Sequence, residues 1–166
     1  YLHGLPSIYA EENGLYDDFD YTIDFYSGGP VQNEAIASGA WEVRTTGIAG
    51  AVLGIVGYDM KDLGVAYDEA SVTDMWCRSD NPLASAKAGE NGIMGTADDW
   101  RGQDILIASG SNVHLMLIVT LESLGLTEDD VNIIDCSSVP NVYTAFMAGE
   151  GDVACLWAPY GYNLEV

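Results

Sequence analysis

The feature that most constrains this chain is a unit of strand, polar loop and helix that recurs four times. It is clearest at residues 100–125, where the apolar run at 105–108 predicts a buried parallel strand. Small polar residues follow at 109–112, and apolar residues at helical spacing then predict a helix that ends at Gly125. The alternation of strands and helices predicts an α/β fold with mostly parallel sheet and flanking helices.

The remaining elements follow the same pattern along the chain. A short helix is predicted at 7–12, and further helices at 30–38, 48–56 and 139–148. Asn13-Gly14, Gly39 and Gly149 are the stop signals of the first, second and fourth of these helices. Strands are predicted at 21–25, 41–45, 63–67, 75–78, 131–135 and 152–157. Between residues 79 and 99, Asn-Pro, Asn-Gly and isolated glycines interrupt the periodic segments. We therefore expect two lobes, lobe 1 at 1–79 and a partial lobe 2 at 80–166.

The strong negative charge of the chain argues against nucleic acid and anionic membranes as partners. The chain carries 26 acidic side chains against 5 basic ones, a formal net charge of −21. The acidic residues are spread over both predicted lobes, so the charge is a property of the whole surface. Such a surface repels nucleic acid and anionic membranes. No apolar run is long enough to predict a membrane span.

The three cysteines, Cys77, Cys136 and Cys155, show no metal-ligand spacing, and buried free thiols are expected, with a disulfide as the alternative. The right-handed crossover rule places the strand at 105–108 between the strands that carry Cys136 and Cys155. A separation of two strands is about 9.6 Å, too far for a disulfide.

The loops that follow the predicted strands are rich in glycine, serine, threonine and asparagine. In open parallel sheets, ligands bind at the carboxyl ends of the strands, where these loops lie. Free N–H groups and the helix dipole at the start of each following helix favour an anionic or polar ligand. The alternative for each loop is an ordinary turn whose serine or asparagine caps the helix.

The chain resembles the solute-binding proteins of ABC importers for nitrate, taurine, alkanesulfonates and thiamine precursors, which have a type II periplasmic-binding fold. Segments in the family's order cover nearly the whole chain. They are residues 8–16, 27–30, 32–35, 39–47, 78–84, 100–103, 109–114, 125–131, 145–152 and 157–160.

The resemblance implies two lobes that bind one small ligand in the cleft between them. The ligand would be a sulfonate, nitrate, a carboxylate or a thiamine precursor, without cofactor, metal or catalytic residue. Relatives are close to twice this length, so the chain is expected to be incomplete at both ends. By position, the ligand-binding residues would be Ser27, Gly28, Gly29, Gln32, Asn33, Thr45, Thr46, Ser109, Ser111, Asn112, His114, Trp157 and Tyr160.

The resemblance also implies a partner and a location. An importer component delivers its ligand to a membrane permease and works outside the cytoplasm, in the periplasm or at the cell surface, as a secreted protein or a lipoprotein. No nucleic acid partner is expected.

Several candidate residues have structural alternatives. Gln32 and Asn33 can cap a helix or face solvent, and Trp157 and Tyr160 can belong to the core. His114, as a single histidine, is more often packed than bound to a ligand. Arg44 is expected to form a salt bridge with Glu42 or another acid, with a clamp on a ligand carboxylate or sulfonate as the alternative.

Two other functions share this fold. An enzyme of cofactor biosynthesis would need a nucleophile and base, a metal cluster or a phosphate loop, and the sequence shows none of these. The effector-sensing half of a transcription regulator would need a basic DNA-binding helix, which is also not found in the sequence.

Overall fold

The computed structural model describes residues 2–66, 68–69 and 71–164, in two compact units, Tyr1–Tyr67 and Asp68–Val166. The boundary lies earlier than the predicted end of lobe 1 at residue 79, because the strand at residues 73–77 pairs within the second unit. For the whole protein, the lobes 1–79 and 80–166 stay a prediction. Each unit is described below by itself.

The described part of the first unit, residues 2–66, contains three α-helices, and all three were predicted. They are α1 (Leu5–Glu12), α2 (Gly29–Ile36) and α3 (Ile48–Tyr58). Proline in the first turn favours the start of α1 and of α2, because its missing N–H is not needed there. Helix α3 ends where Asp59 adopts a left-handed conformation, with φ of 53°.

The three strands predicted for the first unit are not formed within its described residues. Residues 21–25, 41–45 and 63–66 pair with no other segment there, and Tyr67 lies outside the described residues. Their apolar side chains are correspondingly open to solvent, with exposures of 56% for Phe25, 85% for Leu63 and 90% for Val65. A strand needs a neighbour to satisfy its backbone groups, so alternation of apolar residues alone was not sufficient.

The second unit is built on a four-stranded sheet. Every strand and helix that was predicted for this part of the chain is confirmed within a few residues. The elements are β1 (Thr73–Cys77), the single turn α4 (Ala97–Trp100), β2 (Asp104–Ile107), α5 (Asn112–Ser123), β3 (Asn132–Asp135), α6 (Val139–Met147) and β4 (Val153–Trp157). The strand order is β1-β4-β2-β3. Strand β2 runs parallel to both β3 and β4, and β1 pairs antiparallel with β4.

The core of the second unit surrounds β2. Ile105, Leu106 and Ile107 are completely buried, and α5 and α6 add residues such as Leu117 and Val142. A strand that is apolar on both faces needs cover on both faces, which explains its continuous apolar run.

The predicted arrangement of the cysteines is confirmed. Strand β2 lies between β3, which Cys136 follows, and β4, which contains Cys155. All three cysteines are free thiols.

Among the described residues, no helix is both long enough and apolar enough to cross a membrane.

Candidate ligand-binding site

Four segments of the second unit meet at the carboxyl-terminal edge of its sheet, which is the side at which the parallel strands end. The loops after β2, β3 and β4 lie there because these strands are parallel. The residues before β1 lie at the same edge because β1 is antiparallel to β4. This is the edge at which ligands bind in open α/β sheets. It brings together Ser109, Ser111, Asn112, Trp157 and Tyr160 from the predicted set, and His114 on the first turn of α5.

The loop between β2 and α5 is held by its own hydrogen bonds. Ser111 is buried, and its hydroxyl donates to the Ala108 carbonyl at 2.6 Å. The Ser109 N–H donates to the carboxylate of Asp135, at the end of β3. Gly110, between them, has φ of 70°, a conformation that favours glycine. The loop therefore has a defined shape before any ligand arrives.

The first turn of α5 leaves backbone donors for other partners. The helical hydrogen bonds begin with the Leu115 N–H, which donates to the Ser111 carbonyl at 3.1 Å. The N–H groups that precede it in the helix have no helical acceptor, as at every helix start. The side-chain amide of Asn112 donates to the carboxylate of Glu69, which precedes β1. A carboxylate thus already lies beside this helix start.

Both ring nitrogens of His114 are engaged by the protein. Nδ1 is 3.0 Å from the backbone nitrogen of Gly110, and Nε2 is 2.7 Å from Oε1 of Glu128. His114 therefore lies beside the predicted loop, and its contacts there are with the protein itself.

Asp135 was not predicted, although it ends a strand at this edge. Its carboxylate accepts from the N–H of Ser137 at 2.8 Å and of Ser109 at 3.2 Å. Partial burial by itself raises the Asp135 pKa, but these N–H donors and the nearby His114 outweigh it, and the pKa is lowered overall. The rule that placed the loops at this edge also identifies a polar residue at the end of β3.

The aromatic candidates lie at the end of β4. Trp157 is its last residue and is half-buried, opposite Thr73 of β1. Tyr160 packs against Tyr143 of α6, with ring centroids 5.6 Å apart. Both rings also touch the core, so their apolar faces are shared between packing and the sheet edge.

In the first unit, the candidate residues lie where α2 and α3 pack together. A methyl group on Gly50 would lie 2.5 Å from Oγ1 of Thr46 and 3.0 Å from Cα of Gly29, so the two helices touch through their backbones. Asn33 is 3% exposed, and its amide donates to the Gly50 carbonyl.

Most of the other candidates in the first unit make protein contacts as well. Gln32 donates to the Thr45 carbonyl at 3.3 Å, and the Thr45 hydroxyl donates to the His3 carbonyl at 2.8 Å. Ser27 and Gly28 lie half-buried in the loop before α2. The predicted loops at 27–33 and 45–47 are therefore neighbours within this unit.

The contacts of Arg44 differ from the salt bridge with Glu42 or another acid that the sequence predicted. Its guanidinium donates to the carbonyl of Gly50 at 2.8 Å, reaches that of Gly29 at 3.5 Å, and lies 5.0 Å from the ring centroid of Trp41. Among the described residues no carboxylate pairs with it, and burial alone lowers the Arg44 pKa. Arg44 holds α2 and α3 together because backbone carbonyls of both helices converge on it.

A polar cavity of about 350 Å³ lies at the opposite edge of the second unit's sheet. It contains two of the five cations, Arg78 and Arg101. Arg78 donates to the carbonyls of Phe146, Glu150 and Gly151, and Arg101 pairs with Asp98 and Asp130. Both cations are therefore committed to protein contacts. Within the described residues, no group of His, Cys, Asp and Glu side chains is arranged to hold a metal ion.

Known proteins are similar to this chain in sequence or in fold. No family model matches the chain. A putative ABC transporter periplasmic binding protein of Brachyspira hyodysenteriae is 28% identical over 174 residues, covering 99% of this chain and 49% of that protein. The chain thus spans about half the length of this curated relative.

Two solved structures are similar in fold. One is the periplasmic aliphatic sulphonate binding protein SsuA from Escherichia coli, with a TM-score of 0.73 and 20% identity over 96% of this chain and 53% of that one. The other is the alkanesulfonate-binding protein SsuA from Xanthomonas axonopodis pv. citri bound to MOPS, with a TM-score of 0.73 and 23% identity over 93% and 51%. The chain therefore has the fold of about half of these binding proteins, an α/β fold of the type II periplasmic-binding kind.

Proposed function

We propose that the chain is the ligand-binding part of an extracytoplasmic solute-binding component of an ABC importer, and that it captures a small organic anion, foremost a sulfonate. One observation carries the proposal. The loop 109–112 and the start of α5 lie at the carboxyl-terminal edge of the sheet, where ligands bind in open α/β sheets, and the fold is similar to that of two sulfonate-binding proteins. The proposed partners are this ligand and a membrane permease.

The chemistry of the loop suits an anion in a very acidic protein. A sulfonate or carboxylate oxygen accepts hydrogen bonds, and the start of α5 offers N–H groups together with the positive end of the helix dipole. No side-chain cation is needed, and Arg44, Arg78 and Arg101 all have protein partners. Trp157 and Tyr160 offer apolar surface for the organic part of the ligand.

The first-unit loops at 27–33 and 45–47 are proposed for the same role. Their support is that α2 and α3 start side by side, so that two helix N-termini lie close together. Within this unit, Gln32 and Asn33 contribute by holding the loops, since their amides donate to carbonyls at Thr45 and Gly50.

Calorimetric titration of the intact protein tests the proposal. Ethanesulfonate, taurine, MOPS, nitrate and acetate are each titrated, and each mixture is then analysed by mass spectrometry. We expect saturable binding of at least one sulfonate with no new product. A ligand at 100 times its dissociation constant should stabilise the fold by about 2.7 kcal/mol. Turnover of any of these compounds would instead favour the enzyme, and no binding by any of them would overturn the proposal.

A further inference from the structure

His114 connects the candidate ligand loop to a turn elsewhere in the chain. The turn is the short 3-10 helix Glu128–Asp130, which precedes β3. The side chain of His114 is 18% exposed and that of Glu128 45%, so the ring is largely enclosed while the carboxylate reaches it from the surface. The ring lies between Gly110 on one side and Glu128 on the other.

The partners fix which ring nitrogen carries the proton. The Gly110 N–H is a donor only, so Nδ1, at 3.0 Å, must be an unprotonated acceptor. Neutral imidazole then carries its proton on Nε2, which donates to the Glu128 carboxylate at 2.7 Å. The carboxylate, which only accepts when ionised, selects this tautomer.

The hydrogen bond to Gly110 completes the fixing of the loop. Ser109 is tied to Asp135 and Ser111 to Ala108 by their own hydrogen bonds, and Gly110 is the residue between them. Its left-handed backbone, with φ of 70°, aims its N–H at the first turn of α5, where His114 receives it. Each of the three loop residues thus has a separate tie.

We propose that His114 is a positioning residue and not a ligand contact. Glu128 sets its tautomer, and His114 in turn holds the Gly110 amide and thereby the shape of the 109–112 loop. The hydrogen-bond chain itself does not depend on the proposed function. Only its effect on affinity does.

Three variants of His114 test its two hydrogen bonds separately. The side-chain oxygen in His114→Asn can occupy the place of Nδ1 and accept from Gly110, but it does not reach Glu128. The longer amide in His114→Gln reaches Glu128 but leaves the Gly110 N–H without its acceptor. His114→Ala loses both contacts. Glu128→Gln tests the carboxylate, because a neutral amide selects the tautomer less strongly.

Nitrogen NMR and amide hydrogen exchange of the intact protein measure the hydrogen-bond chain. In the parent, Nδ1 of His114 should be unprotonated and the ring proton should be on Nε2, and in Glu128→Gln this preference should weaken. The Gly110 amide should be protected from exchange in the parent and in His114→Asn, and should exchange at least tenfold faster in His114→Gln. A proton on Nδ1 in the parent, or equal Gly110 protection in all variants, would overturn the proposal.

Titration with ethanesulfonate adds the functional readout. Affinity should fall more in His114→Gln than in His114→Asn. An equal fall in both variants, with Gly110 still protected in both, would make His114 a ligand contact and overturn the proposal. If the parent itself does not bind ethanesulfonate or the other tested anions, the proposed function fails, while the NMR and exchange results still decide the role of His114.

Discussion

At the scale of single residues, Asn112 offers the sharpest test of an anion site. Asn112→Asp places a full negative charge at the start of α5, beside Glu69, where the dipole would otherwise attract the ligand. We expect the affinity for a sulfonate to fall at least about tenfold, or ~1.4 kcal/mol. Calorimetric titration with the best-binding sulfonate measures the effect.

Asn91→Asp is the matched control for this charge change. Asn91 is exposed in the loop at residues 86–95, which precedes α4. Its side-chain oxygen accepts a hydrogen bond from the Ile93 N–H, and a carboxylate at this position can accept the same bond. It adds the same charge to the same molecule away from the candidate loop. Equal affinities for both variants would mean that the 109–112 loop is not the site or that the ligand is not an anion.

Residue types predicted the loop but not the partners that hold it. Serine, glycine and asparagine after an apolar strand identified 109–112 directly from the sequence. Glu128, Asp135 and Glu69 were missed because each contacts the loop from a distant part of the chain. Arg44 was expected to pair with an acid, because the sequence shows many acids but does not show which carbonyls converge in space.

At the scale of elements, the contact between α2 and α3 depends on two glycines. Gly50→Ala puts a methyl group 2.5 Å from Thr46 Oγ1 and 3.0 Å from the Cα of Gly29, so the helices must move apart. We expect the free energy of unfolding to fall by about 1–3 kcal/mol. Urea unfolding followed by circular dichroism measures it.

Gly57→Ala is the control within the same helix. A methyl group there meets nothing within 4 Å, and alanine is the better helix former by about 0.5–1 kcal/mol. It should therefore stabilise the protein. A stabilising Gly50→Ala would show that the two helices are not packed this closely.

The thiols of the second unit differ in their environment. Burial in β4 raises the pKa of Cys155 to about 12, and less complete burial raises the pKa of Cys77 and Cys136. An acid whose pKa is raised by folding holds its proton longer in the native state, so this group destabilises the fold as the pH rises above its unfolded value of about 8.5.

Alkylation at mildly alkaline pH makes this difference visible. With iodoacetamide, Cys77 and Cys136 should be modified before Cys155, because the thiolate is the reactive species. Mass spectrometry of peptides from a digest with a glutamate-specific protease identifies the modified sites, because Glu150 separates Cys136 from Cys155 whereas no lysine or arginine does. In denaturant without reductant all three should react, and fewer than three would indicate a disulfide.

Elements were predictable where the signal is local. Helices α1, α2, α5 and α6 have their own apolar spacing and their own stop signals, α3 has its own apolar residues, and β2 has its continuous apolar run. The strands of the first unit failed because pairing depends on a neighbouring segment, which no pattern within residues 21–25, 41–45 or 63–66 reveals.

At the scale of the whole molecule, the charge of −21 should make stability depend on salt. Like charges repel in the compact state, and raising sodium chloride from about 10 mM to about 150 mM shortens the Debye length from about 30 Å to about 8 Å. We therefore expect the melting temperature to rise over this range, as measured by calorimetry.

A less acidic variant is the control. Asp18, Asp20 and Asp24 are exposed and close in sequence, and replacing all three by asparagine removes charge with little change in volume. This variant should show a smaller rise in melting temperature. A parent that melts at the same temperature at both salt concentrations would mean that repulsion between its acidic groups contributes little.

The three hydrogen bonds of Arg78 also bear on how this protein can be engineered. They tie the residue after β1 to the carbonyl of Phe146 in α6 and to the carbonyls of Glu150 and Gly151 in the turn between α6 and β4. A reporter domain inserted into that turn would separate acceptors that one side chain must reach together. The exposed loop at residues 89–92 has no such tie to the sheet, so it is the better place to insert a fluorescent reporter.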